Sequence, residues 1–372
     1  MTNAAHFPAT GGFLIAGGGT GGHVFPALAL AGEIRRRRPD APIVFVGTRR
    51  GLETDLVPRA GWPLEFVRAK GLVAKGVRAL LEGLLALPLA LADSIGILGR
   101  HAPRTVVGVG GYASGPLVAI AWARRIPTVI HEQNAVPGLT NRLLSRIATR
   151  VAAGTEAGAE RLGGVCVGNP VRSDFFEVPP LGARETPRRM RLLVVGGSQG
   201  AAILNRVLPG ALARLAASGI AFTVLHQAGA RRAQDVEALY EKHGLAGDRV
   251  QVREFVADMA QAYADADLLV ARAGAMTVAE VAAAGRPALF VPFAGATHGH
   301  QEANARALET EGAAVVLTEA EASEESLGDA IAVLLSDPAR LAEMGDAARR
   351  SAKPDAAARL CEIVFEAEAS RK

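Results

Sequence analysis

At 372 residues the chain is long enough for two domains. Its 49% hydrophobic and 21% charged residues form a globular balance that excludes a disordered or collagen-like chain. An aromatic content of 5% argues against base-stacking platforms for nucleic acid. Cys166 and Cys361 are too few for a disulfide framework and fit a reducing cytoplasm.

The start of the chain lacks the basic stretch of a secretory signal. The longest apolar run, Gly83 to Ala92, is broken by Pro88 and is shorter than the roughly 20 residues of a spanning helix. A soluble or peripheral protein is expected. Charge is uneven: residues 1–177 hold 20 basic and 12 acidic side chains (net +8), and residues 178–372 hold 21 and 25 (net −4). This is either ordinary variation between domains or the mark of an anionic partner: a lipid surface, a phosphate or a nucleic acid.

Short apolar runs alternate with longer Ala/Leu/Arg segments of helical period, which predicts an α/β chain with parallel sheets. Strands are expected at Phe13–Gly17, Ile43–Gly47, Thr105–Gly110, Pro127–His131 and Arg150–Ala153. A breaker-rich stretch, Val178 to Pro187, suits a linker. Beyond it strands are expected at Arg191–Gly196, Phe222–His226, Val250–Val252, Leu268–Ala271, Ala288–Pro292 and Ala313–Leu317. An amphipathic helix is expected from Asp355 to Glu368.

The first strand runs into Gly17-Gly-Gly-Thr-Gly-Gly22, and the strand after the linker runs into Gly196-Gly-Ser-Gln-Gly200. Each half therefore opens like a nucleotide-binding unit, whose bare loop N–H groups approach phosphate at a helix N-terminus. Two such domains, face to face, would enclose a cleft. Gly17-x-Gly19-x-x-Gly22 also fits a dinucleotide fingerprint, but the second strand ends in Thr48-Arg49-Arg50 with no acidic ribose ligand. An NADP-dependent oxidoreductase, a UDP-sugar epimerase and a non-catalytic sugar-nucleotide sensor remain as rivals. His23 follows the glycines in the first helical turn, where the helix dipole favours a neutral imidazole.

Seven motifs in order carry a resemblance. They are Gly18-Gly-Thr-Gly-Gly-His-Val-Phe-Pro26, Gly110-Gly-Tyr-Ala-Ser-Gly-Pro116 and His131-Glu-Gln-Asn-Ala-Val-Pro-Gly-Leu-Thr-Asn141, then Gly168-Asn-Pro-Val-Arg172, Gly196-Gly-Ser-Gln-Gly-Ala201, Arg272-x-Gly-Ala-x-Thr-x-x-Glu280 and His300-Gln-x-x-Asn304. The chain resembles the MurG family of bacterial peptidoglycan glycosyltransferases, which move N-acetylglucosamine from UDP to the undecaprenyl-diphosphate acceptor lipid I, making lipid II. The resemblance implies the two-domain glycosyltransferase-B fold with its last helix crossing back. Residues 1–177 with 351–372 would face acceptor and membrane, and residues 178–350 would bind the UDP-sugar. It also implies a role in cell-wall synthesis, cell shape and division. The place would be the cytoplasmic face of the inner membrane, held peripherally on an anionic surface, with cell-wall or division proteins as candidate partners.

Each part of a UDP-sugar donor finds a matching residue type. A carboxylate at Glu280 can accept both ribose hydroxyls. Ser198 and the Gly197–Gly200 amides can cradle phosphate, and Arg172 can neutralise the departing diphosphate. Arg172, Ser198 and a helix N-terminus can supply the countercharge for the diphosphate, so neither a metal nor a cofactor is expected. Gln301 and Asn304 lie one helical turn apart and suit sugar hydroxyls. Asn134 and Glu132 follow a strand and should point into the cleft. The resemblance adds Thr20, Gly21 and Gly22, the backbone of Val256 beside uracil, and Ala275, Met276, Thr277, Val278 and Ala279 around nucleotide and phosphate.

Inverting transfer needs a base for the acceptor hydroxyl. His23 is the first candidate and Glu132 the second; His23 could instead bind the acceptor diphosphate. Leu80, Leu81, Leu84, Leu85, Leu87, Leu89 and Leu91, with Arg78, Arg100, Trp122 and Arg124-Arg125, read as an apolar, basic dock for lipid, in part a buried helix face. The Arg35–Arg38 run at a helix end is expected to be solvated.

Overall fold

The computed structural model describes residues 11–69, 77–183, 189–197, 199–245, 247–296 and 299–370, with the side chains of one helix described from Leu85 onward. The chain divides into two units, Met1–Val171 with Asp355–Lys372, and Arg172–Pro354.

The first unit runs β1 (Phe13–Ala16), α1 (Gly21–Arg37), β2 (Ile43–Gly47), α2 (Glu53–Arg59), β3 (Leu64–Phe66), α3 (Val77–His101), β4 (Thr105–Gly108), α4 (Ser114–Ala123), β5 (Thr128–Glu132), α5 (Leu139–Leu144), β6 (Arg150–Ala153), α6 (Glu156–Leu162) and β7 (Val165–Cys166). The second runs β8 (Met190–Val195), α7 (Ala202–Ala217), β9 (Phe222–Gln227), α8 (Ala233–Lys242), β10 (Val250–Arg253), α9 (Met259–Asp265), β11 (Leu268–Ala271), α10 (Ala275–Ala284), β12 (Ala288–Phe290), α11 (His300–Thr310), β13 (Ala314–Val316), α12 (Glu324–Leu335) and α13 (Pro338–Ser351). Helix α14 (Ala356–Ala369) returns to the first unit.

Both sheets are parallel, ordered β3-β2-β1-β4-β5-β6-β7 and β10-β9-β8-β11-β12-β13. A parallel sheet is covered on both faces, and so its strands are apolar on both sides. In β1, Phe13 and Ile15 join a core with α1 and α14, while Leu14 and Ala16 join another with α3 and α4. In each sheet strand order reverses at one place, between β1 and β4 and between β8 and β11. Ligands of open α/β sheets bind outside the carboxyl ends of the strands there.

Arg172 to Glu177 belongs to the second unit, ahead of the breaker-rich linker. Phe175 is buried and meets Tyr263 edge-on at 5.1 Å, and the Arg349 guanidinium donates to the Val178 carbonyl at 2.7 Å. Two strands have no counterpart among the sequence expectations, β3 and β7. Both are edge strands of two or three residues, and neither has a fully buried residue.

The Arg35–Arg38 run is engaged rather than merely solvated. Arg36 and Arg37 pair with Glu33 at 2.6 Å, and Arg37 also reaches Glu362 on α14 at 3.2 Å. Arg38 pairs with Glu368 and lies 3.9 Å from the centre of the Phe365 ring. The run thereby ties α1 to α14.

Candidate active site

In the first unit the site starts from two glycine turns at the β1/β4 switch point. A Cβ on Gly111 would stand 2.5 Å from the Gly18 carbonyl oxygen, so these turns touch only because Gly111 has no side chain. Thr20 is the N-cap of α1, exposed, with no capping bond from its hydroxyl. Gly21, Gly22 and His23 make the first turn of that helix, half-buried.

Not all the N–H groups of this loop are open to a phosphate. The Gly19 N–H donates at 2.7 Å to Glu53, a buried carboxylate that also takes the Thr48 N–H at 2.9 Å and its hydroxyl at 3.0 Å. Glu53 carries no motif signal beyond its place at the start of a short helix, and sequence reasoning passed over it.

His23 Nδ1 lies 3.1 Å from Gln133 Oε1. Burial holds the imidazole below the ordinary histidine value, opposed first by the charge of Glu132. The neutral ring expected from the helix dipole thus has desolvation as its main cause.

Glu132 ends β5 and is buried. One of its oxygens accepts from the Asn134 N–H and the Asn134 amide, both at 3.0 Å. The other accepts from the Gly138 N–H at 3.1 Å and the Asn141 amide at 2.9 Å. Its lone pairs are spent on closing the loop that carries Asn134.

In the second unit the glycine turn after β8 packs closely on the turn after β9. A Cβ on Gly200 would meet the Ala228 carbonyl at 2.1 Å. Ser198 lies outside the described residues. Helix α10 begins at Ala275 with Gly274 as N-cap and no side-chain cap, which leaves its first N–H groups for an anion. Ala275 and Met276 turn their side chains into the core, whereas Thr277, Val278, Ala279 and Glu280 are half-buried.

Burial pushes Glu280 up to about 7, against the pull of Arg172, with Asp174 adding to the rise. Arg172 stands 3.2 Å from Asp174 and 5.2 Å from the Phe175 ring, and the buried Tyr263 phenol faces Glu280. Val256, half-buried, follows the exposed Phe255 in the β10–α9 loop.

Gln301 Oε1 accepts from the Phe293 N–H at 3.0 Å, and the Asn304 amide donates to the Ala273 carbonyl at 3.3 Å. Arg272 donates to the Val291 carbonyl at 2.9 Å and pairs with Glu319, whose other oxygen accepts from the Ala294 N–H at 3.0 Å. The loop after β12 is therefore tied to the N-terminal turn of α11. Glu319 belongs to none of the motifs; only this contact reveals it. Among the described residues no three or more His, Cys, Asp or Glu side chains are grouped to hold a metal ion.

Leu80, Leu81 and Leu84 of the expected lipid dock lie outside the described side chains. Leu85 is 76% exposed, Leu89 46% and Trp122 51%, while Ile97 and Leu98 of the same helix are core. An apolar groove lined by Leu87, Leu91, Tyr112, Pro116, Leu139 and Leu143 runs beside them. Arg142, Arg146 and Arg161 border a second hollow that shares Leu139 and Leu143. Among the described residues no helix is long and apolar enough to cross a membrane.

Two parallel-sheet units, each with a glycine turn at its switch point, define the fold class: the two-domain architecture of glycosyltransferase-B proteins. Residues 13–153 match the glycosyltransferase family 28 N-terminal domain and residues 191–360 the family 28 C-terminal domain, and the chain belongs to this family. It is 48% identical, over 95% of its length and 98% of the relative's, to the UDP-N-acetylglucosamine--N-acetylmuramyl-(pentapeptide) pyrophosphoryl-undecaprenol N-acetylglucosamine transferase of Alkalilimnicola ehrlichii. It is similar in structure to Acinetobacter baumannii MurG, with a TM-score of 0.77 and 31% identity over 96% of this chain and 99% of that one. It also resembles the UDP-GlcNAc 2-epimerase of Neisseria meningitidis, with a TM-score of 0.68 over 95% and 99% of the two chains. At 12% identity that likeness concerns the fold alone.

Proposed function

We propose that this chain transfers N-acetylglucosamine from UDP-GlcNAc to lipid I, forming the β-1,4 linkage of lipid II in peptidoglycan synthesis. The observation that carries the proposal is the end-to-end match, at 48% identity, to a transferase named for that reaction. The epimerase likeness, confined to the fold, does not favour the rival reading.

Transfer inverts the α-linked sugar. The acceptor hydroxyl attacks C1, the bond from C1 to the UDP oxygen breaks, and UDP leaves with the electron pair. Arg172 and the N-terminus of α10 offset the charge that develops on the diphosphate. Glu280 accepts the ribose hydroxyls, the Val256 backbone meets uracil, and Gln301 and Asn304 meet the sugar. His23 takes the proton of the acceptor hydroxyl. Glu132 is the weaker candidate for that role, since both of its oxygens are already engaged by loop donors. Its part is to shape the loop that presents Asn134.

The groove beside α3 and the adjoining hollow bordered by Arg142, Arg146 and Arg161 fit a lipid-linked acceptor at an anionic membrane surface. We therefore place the protein peripherally on the cytoplasmic face of the inner membrane.

The test is UDP release from UDP-GlcNAc with and without a lipid I analogue. Acceptor-dependent release with a disaccharide product is expected. Release that ignores the acceptor, or epimerised UDP-sugar, overturns the proposal.

A further inference from the structure

Hydrogen-bond polarity can be followed through a buried chain of side chains in the first unit. It begins at the Gly168 carbonyl, which can only accept, 3.1 Å from His131 Nε2. His131 Nε2 therefore carries a proton. Burial lowers this imidazole to about 4, so it is neutral near pH 7 and holds one proton only. Its Nδ1 is then an acceptor, and Gln133 Nε2 stands 3.0 Å away. The same amide nitrogen lies 2.9 Å from the Val109 carbonyl and 3.3 Å from the His131 carbonyl, two further pure acceptors. The amide cannot be turned over without setting its oxygen against them. Gln133 Oε1 consequently faces His23 Nδ1, which must donate, with the Val109 backbone a lesser partner of the same ring.

We infer that Gln133, oriented by His131, is a positioning residue that holds His23 as the Nδ1–H tautomer and leaves the Nε2 lone pair as the proton acceptor. The charged groups acting on His23 are Glu132 and Glu53, and both favour its protonated form. A neutral amide between the two histidines fixes a tautomer without adding a third charge. Free imidazole in water prefers the opposite tautomer, so the preference has to be imposed. The catalytic use of that lone pair rests on the reading of His23 proposed above; the tautomer itself does not.

The test uses the full-length protein labelled with 15N-histidine, with the His23 signals assigned by their loss in His23→Gln. In the unsubstituted protein His23 should be protonated at Nδ1 and His131 at Nε2. Gln133→Leu should shift His23 toward the Nε2–H form and lower kcat about tenfold or more, with the Kd for UDP within about twofold. Gln133→Glu keeps an acceptor for Nδ1–H while setting its second oxygen against the Val109 carbonyl. It should retain the tautomer and move the acid limb of kcat to higher pH, because a buried carboxylate favours the imidazolium.

An Nε2–H His23 in the unsubstituted protein overturns the inference, as does a Gln133→Leu protein with unaltered tautomer. Undiminished kcat in His23→Gln, alongside an Nδ1–H ring in the unsubstituted protein, would remove the base reading alone.

Discussion

The proposed place of Glu280 at the donor ribose couples donor binding to pH. Its carboxyl is raised from the ordinary 4.5 to about 7, so between those values the folded chain holds a proton that the unfolded chain has lost. On this account its contribution to stability falls as pH rises through that window. Ribose hydroxyls donate to the ionised form, so UDP affinity should rise with pH, about tenfold between pH 6 and pH 8. Calorimetry in buffers of different ionisation enthalpy should detect proton release on binding near pH 7, and Glu280→Gln should abolish both effects. A flat affinity profile would separate Glu280 from the ribose. Residue types and motif order were enough to nominate Glu280 and His23. The role of Glu132 was not legible, since one carboxylate can act as a base or as a loop brace. Only the donors around it decide, and they come from Asn134, Gly138 and Asn141.

The strands that border each glycine turn were legible as uninterrupted apolar runs, because a parallel sheet buries both faces of its central strands. The edge strands β3 and β7 were not, because two or three residues carry no periodicity. Helix α14 was expected, and the resemblance implied its return to the first domain, but the residues it packs on were not legible. Leu360 and Val364 on that helix are fully buried in the core that β1 and α1 share. Leu360→Ala should therefore cost about 2–5 kcal/mol, read from denaturant unfolding of the full chain. Arg37→Ala removes partly exposed ion pairs and should cost under about 1 kcal/mol. A greater cost for Arg37→Ala than for Leu360→Ala would mean that the arginine run, and not the apolar face, holds α14 in place.

For the whole molecule, the prediction concerns the lipid surface. Leu85 and Trp122 are exposed, so Leu85→Glu and Trp122→Glu should leave folding and UDP affinity unchanged. Each should weaken binding to anionic vesicles about tenfold or more, since burying one such side chain contributes about 1.5–3 kcal/mol. Added salt should weaken anionic vesicles' hold and scarcely affect that of neutral ones. Ile97→Glu, on the same helix, should instead unfold the protein, because Ile97 is core. Vesicle binding indifferent to Leu85 and Trp122 would move the dock elsewhere.

Apolar runs and glycine spacing were sufficient to determine the α/β class and the strand–turn–helix opening of each half, and seven motifs in order nominated the residues proposed to meet a UDP-sugar. Those signals are local: a glycine before a helix N-terminus means the same wherever the chain later goes. What tertiary structure alone decided are the partners across long separations. It set Glu53 beneath the first glycine turn, tied the arginine run to the last helix, engaged both oxygens of Glu132, and aligned Gly168, His131, Gln133 and His23. A side chain's type states which hydrogen bonds it can make. Which of them it makes depends on what the fold brings within about 3 Å, and burial then makes an unmet donor too costly to keep.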